Sequence, residues 1–211
     1  MLPRGIMRPD AGDLSHNHSP LQVDPDQMAR ITPLTLTPSN ANWPARLESR
    51  LGESAPAALQ TIGPLALLAG ARTALFCSTR TPGEAILHAF DTARRLRDEG
   101  VTVISGFHSP IEQDCLRILL RGKQPIIVCP ARALGNMRVT GDLRPAFEAG
   151  RVLFLSPFKN TPRRITRDSA RRRNEIVAAL ADEAFIAHVT PGGETERLAW
   201  MLREWGVPIV G

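Results

Sequence analysis

The chain has 211 residues, 43% of them hydrophobic, and 26 Lys and Arg against 21 Asp and Glu, a formal net charge of +5 at pH 7. That is long enough for one domain of ordinary size with extensions, apolar enough for a real core, and basic enough to suit an anionic partner without requiring one. Cys77, Cys115 and Cys129 are too scattered for a disulfide framework or a zinc spacing, and with no apolar leader and no run near the ~20 apolar residues of a membrane span, a reducing cytoplasm is the expected compartment.

Residues 1–40 carry several prolines, Asp, Ser and Asn without a sustained apolar period, which predicts a disordered N-terminal extension. His16 and His18 lie in it, and two histidines in a flexible tail are more often incidental than a metal site; no cofactor or metal is expected. Residues 41–70, including "NWPARLESRLGESAPAALQTIGPLALLAG", break short helical fragments with Pro and Gly and predict an irregular lead-in to the domain that fills 41–211.

A regular rhythm follows. "TALFCS" reads as a strand, and "PGEAILHAFDTARRLRDEG" as a helix with Ile86, Phe90, Ala93 and Leu96 at helical spacing and Gly100 at its exit. "VTVISG" is a second strand, followed by a helix with Ser109 as cap and Pro110 in its first turn, then by the strand "PIIVCP". A short helix spans Leu143 to Ala149, "VLFLSP" is a strand, Thr166 caps a helix running to Leu180, and "EAFIAHV", "TERLAWMLREW" and "VPIV" close the chain as strand, helix and strand. Strands alternating with helices predict a doubly wound α/β fold, its sheet mostly parallel and covered by helices on both faces.

In such a sheet ligands bind beyond the carboxyl ends of the strands. The loops there read "STRTPGE", "SGFHSPIEQ", "PARALGN", "SPFKNTPRR" and "TPGGETE". Ser78 and Arg80 could donate to phosphate oxygens, as could Ser105, Gly106 and Ser109 in the second loop, although Ser109 has the alternative role of helix cap. There is no GxGxxG and no Walker loop. Arg163, Arg164, Arg167, Arg171, Arg172 and Arg173 set six arginines within eleven residues against a single Asp168, a reasonable phosphate footprint. Stepping back from Ile176, Val177 and Leu180 puts Arg173 on the inward side of its helix with Asn174 beside it. The alternative is a solvated helix face with one arginine bridged internally to a glutamate such as Glu112.

Pro191, Gly192 and Gly193 form either a simple tight turn or a loop that approaches a ligand. With Thr195, Glu194 and Glu196 following, that loop suits a ribose or base better than a phosphate. His108 near Glu112 and Asp114 invites an acid/base reading, but the spacing does not bring them together, and His108 is expected as a loop residue at the crevice. Cys77 and Cys129 read as core strand residues, and no catalytic residue is assigned. Phe107 and Phe158 are the only loop aromatics and tyrosine is absent, so platforms for stacking bases are scarce.

These motifs, in this order, resemble the DprA/Smf family of DNA-processing proteins from about Trp43 onward. "NWPARLESRLGESAPAALQTIG" is similar to the family's approach to the domain, "ALFCSTRTPG" to its strand ending in Gly-Ser-Arg, and "VTVISGFHSPIEQDCL" to its strand ending in Ser-Gly. "RRRNEIVAALADEAFIAH" is similar to its Arg-Asn-Arg-Ile segment, with Arg173 and Asn174 matching the first Arg-Asn. The resemblance implies a Rossmann-like fold that binds single-stranded DNA through a basic face and hands it to a RecA-type recombinase in transformation or recombination. Departures are "FHSPIEQDC" after Ser105-Gly106 and Glu175 in place of a second arginine; with little before Trp43 and no winged helix after Gly211, a reduced member is expected. "TPGGETE" also partly resembles the PGGxGTxxE loop of the LOG phosphoribohydrolases, but a glycine is missing and Leu198 stands where that family has glutamate. A sensor or hydrolase for a nucleotide is therefore the second reading, and a module that forms a homodimer the third.

Overall fold

The computed structural model describes residues 32–78, 81–135, 137–139, 141–160 and 165–210. In chain order these form β1 (Leu34–Leu36), α1 (Arg46–Leu51), β2 (Leu59–Ile62), β3 (Arg72–Phe76), α2 (Gly83–Asp98), β4 (Thr102–Ser105), α3 (Pro110–Leu120) and β5 (Ile126–Val128). They continue as α4 (Leu143–Glu148), β6 (Val152–Ser156), α5 (Arg167–Leu180), β7 (Glu183–Ile186), α6 (Glu194–Glu204) and β8 (Ile209–Val210). The strands make one sheet in the order β1-β2-β6-β5-β4-β3-β7-β8. From β6 to β8 every pairing is parallel, while β1 and β2 add an antiparallel margin beside β6.

Every residue of β3 and of β6 is buried, as strands covered on both faces require. Alternation divides them between two cores. Ala74, Phe76, Leu153 and Leu155 pack with Ile176, Val177 and Leu180 of α5 and Leu198 and Leu202 of α6. Leu75, Cys77, Val152 and Phe154 pack on the other face with Ala93 and Leu96 of α2 and Cys115 and Leu119 of α3. The predicted caps form. Ser109 accepts the Glu112 N–H at 3.2 Å, and Thr166 accepts the Ser169 N–H at 3.1 Å while Ser169 Oγ returns a bond to the Thr166 N–H.

Two differences from the sequence expectation lie near the start. β1 falls inside the stretch expected as an extension, of which residues 1–31, with His16 and His18, lie outside the described residues. The irregular lead-in contributes β2, and α1 supplies a second contact. Arg46 donates to the Leu180 carbonyl at 3.2 Å and Asp182 at 2.6 Å, while Arg50 donates to the carbonyls of Ala179 at 2.9 Å and Ala181 at 2.6 Å. These are carbonyls that the last turn of α5 leaves without helical partners, so the lead-in caps a core helix.

The chain runs β3, β4, β5, β6 in one direction across the sheet and then returns to place β7 on the other side of β3. That reversal opens a crevice beyond the carboxyl ends of β3 and β7.

Candidate functional site

Beneath the crevice lies a buried carboxylate. Glu112, 7% exposed, accepts the Cys77 N–H at 3.1 Å on one oxygen and the N–H groups of His108 at 2.8 Å and Ser109 at 3.3 Å on the other. It ties the end of β3 to the start of α3. Arg173, 4% exposed, donates to the Cys129 carbonyl at 3.2 Å, and its Nε has no partner. Gly106 makes room for it: a Cβ there would stand 1.4 Å from Arg173 Nη1. Burial lowers the Arg173 pKa and the Glu112 charge offsets only part of this, so the net shift is downward, and the two make no direct ion pair among the described residues.

Several expected phosphate contacts are therefore internal. Arg173 is turned inward as predicted but is buried, closer to the alternative in which Glu112 balances it. Ser105 is fully buried, its Oγ donating to the Leu75 carbonyl at 2.7 Å and accepting the Phe107 N–H at 3.3 Å. Ser109 spends its hydroxyl on the cap, and Gly106 its missing side chain on Arg173. Phe107 holds a left-handed backbone, φ 46°, and packs into the core at 6% exposure, so it offers no stacking face. His108 is exposed in its loop, but Glu112 is committed to backbone N–H groups and Asp114 pairs with Arg117, so no acid/base pair forms.

The Pro191-Gly192-Gly193 turn is closed by its own bonds. The Gly193 N–H donates to the Thr190 carbonyl at 2.9 Å, the Gly192 N–H to Glu196 at 2.8 Å, and the Thr190 N–H to Thr195 Oγ1 at 3.0 Å. Gly192 takes φ 69°, a conformation glycine adopts freely. The backbone amides are thus used within the turn, as the tight-turn alternative requires.

What remains open is the crevice, about 260 Å³, lined by Ser78, Asn174, Thr190, Gly193, Glu194 and Thr195 among others. Thr190 Oγ1 is buried there without a partner. A second depression of about 550 Å³ runs along the head of α5, lined by Arg167, Asp168, Arg171, Asn174 and Glu194. A third, about 470 Å³, lies along α6 between Gly192 and Gly193 at one end and Trp200 and Arg203 at the other. Asn174 and Glu194 belong to the first two, and Gly193 to the first and third. The three adjoin at these shared residues along the carboxyl edge.

Its arginines are unequal. Glu175 receives Arg172 at 3.2 Å and Arg197 at 3.0 Å, with Arg171 at 3.9 Å, and Arg197 also grips Glu194 at 2.5 and 3.0 Å. This network locks α5 to α6. Burial lowers the Arg197 pKa, but the two glutamates outweigh it and hold the pKa above its ordinary value. Arg167 is exposed and has no side-chain partner among the described residues. Arg80, Arg163 and Arg164 lie outside the described residues.

One feature escaped the sequence reading. Trp200 is 61% exposed on α6, away from the buried Leu198, Ala199 and Leu202; its place off the apolar stripe was the available signal. The cysteines are free and buried: the Cys77 thiol is raised by its hydrogen bond with Cys115 and by burial, and burial pushes Cys129 up to about 12, so neither is a ready nucleophile. No helix among the described residues is long and apolar enough to cross a membrane.

The fold has solved counterparts. DNA processing protein A (DprA) from Streptococcus pneumoniae superimposes with a TM-score of 0.69 at 18% identity, covering 84% of this chain and 62% of that one. The same protein from Helicobacter pylori, solved for its single-stranded DNA binding mode, gives 0.65 at 20% identity, covering 86% and 81%. No curated protein matches the sequence. The family described as DNA recombination-mediator protein A matches residues 34–193, from β1 to the Gly193 turn, and the chain belongs to that family.

Proposed function

We propose that this protein binds single-stranded DNA along the groove at the carboxyl edge of its sheet, in DNA uptake or recombination. The observation that carries the reading is that these depressions adjoin along one edge of the sheet. Depressions that share Asn174, Glu194 and Gly193 suit an extended strand, whereas a nucleotide sensor or hydrolase needs a closed pocket around one phosphate and one base. Family membership and the single-stranded DNA binding mode of the Helicobacter pylori protein support it. Arg167 at the head of α5 neutralises backbone phosphate, and the Asn174 side chain, with no protein partner among the described residues, bonds to sugar or base. Ser78 lies at the crevice wall. A cytoplasmic setting, a RecA-type recombinase as recipient of the strand, and pairing of two chains belong to the same proposal.

Fluorescence anisotropy of a labelled oligothymidylate tests it, with AMP as competitor. Steeply salt-dependent binding that AMP displaces poorly, and that Asn174→Ala weakens, is the expected result. Absence of strand binding at low salt, with AMP raising the melting temperature, contradicts it and points to the sensor.

A further inference from the structure

Trp200 is 61% exposed and stands off the buried face of its helix. On α6, Leu198, Ala199 and Leu202 face the core, while Glu196, Trp200 and Arg203 follow one another at i, i+4 and i+7 on the open face. Glu196 turns back to accept the Gly192 N–H, which leaves the indole and the guanidinium as the free part of that face. Arg203 is exposed and has no side-chain partner among the described residues. An aromatic face beside an unpaired cation is the combination that single-strand binders use, the ring stacking on any base and the cation meeting the neighbouring phosphate.

We propose that Trp200 is a base-stacking platform and Arg203 its phosphate contact, extending the DNA path out of the crevice, past Gly193, and along α6. The inference rests on the strand-binding reading above and adds to it the far end of the path. Two observations select this occupant. The Trp200 depression shares Gly193 with the crevice, so the two adjoin at that turn. Phe107, expected as a loop aromatic, is buried, and Phe158, the other, lines none of the three depressions, which leaves them short of other exposed aromatic faces. The platform also explains why sequence tolerance is expected, since every base presents a π-face.

The test uses the full chain and labelled oligothymidylates of roughly 4 to 16 nucleotides, the span of site sizes known for single-strand binders. Anisotropy is read for wild type, Trp200→Ala, Trp200→Phe, Arg203→Ala and Arg167→Ala. Because Trp200 is largely exposed, the alanine variant should fold, which circular dichroism checks. Trp200→Ala is expected to weaken the longest oligonucleotides by roughly 5- to 150-fold and leave the shortest unchanged, with most of the loss restored by phenylalanine. Arg203→Ala should also act only on long strands, and Arg167→Ala on all lengths. If wild type and Arg167→Ala behave so but Trp200→Ala binds every length normally, the platform is overturned and the groove reading stands. If Trp200→Ala instead converts a dimer to a monomer in sedimentation without a length-dependent loss, the face is an interface between copies and the platform is again overturned. If wild type binds no single strand, both readings fall.

Discussion

Arginines at the two edges of the sheet are used differently, although Arg121 at the amino edge is also exposed without a side-chain partner among the described residues. At the amino edge, Arg46, Arg50 and Arg72 are consumed: two finish the carboxyl end of α5, and Arg72 is 3% exposed, donating to the Leu68 carbonyl at 2.9 Å with Asp182 3.6 Å away. At the carboxyl edge the charge is layered. Arg173 is buried in the floor, Arg171, Arg172 and Arg197 lock two helices together, and Arg167 and Arg203 are left open on the rim. A net charge of +5 is thus a poor guide to where an anion binds; what matters is which cations lack a carboxylate or carbonyl.

The comparison can be broken first at the floor. Glu112→Ala strands three backbone N–H groups and removes the charge that balances Arg173, so urea denaturation should show a loss of about 3–5 kcal/mol. A loss within experimental error would mean that the floor is not a structural unit. At the amino edge, Arg50→Ala removes two bonds to α5 carbonyls and should cost about 1–2 kcal/mol in the same assay while leaving oligonucleotide affinity unchanged. A fall in affinity without a fall in stability would put that edge into the binding surface.

The smallest effect is one of pH. Burial raises the Asp182 pKa, but the hydrogen bonds from Arg46 and the Arg72 N–H and the charges of both arginines outweigh it, and the net shift is downward. A depressed carboxylate stabilises the fold above its unfolded pKa, near 4, and that contribution is lost as pH falls through the lower folded value. Stability should therefore drop below about pH 4, and Asp182→Asn should flatten that drop. An unchanged acid limb in the variant would remove Asp182 from the account.

Local chemistry was the legible part. The caps at Ser109 and Thr166 and the inward turn of Arg173 depend on residues within a turn of one another, so spacing alone revealed them. β1 and β2 did not show, because strands of three and four residues have little period to detect, and β2 is held by pairing with the distant β6 and β1 by pairing with β2. The balance between Arg173 and Glu112 stands in the sequence only as one alternative, because the two come from different helices and come near each other only after the sheet is wound. Phe107 looked like a free loop aromatic since nothing local announces a left-handed residue folded into the core. Trp200 was passed over for the opposite reason, counted as part of a helix although it stands off that helix's buried face.

The central claim is that the strand follows the open cations of the carboxyl edge. Its most direct test is the slope of log affinity against log salt for an oligothymidylate, compared between wild type, Arg167→Ala and the amino-edge variant Arg46→Ala. One lost phosphate contact on a single strand lowers the slope by about 0.7. The account predicts that decrease for Arg167→Ala and the wild-type slope for Arg46→Ala. An unchanged slope for Arg167→Ala, or an equal decrease for both, contradicts it.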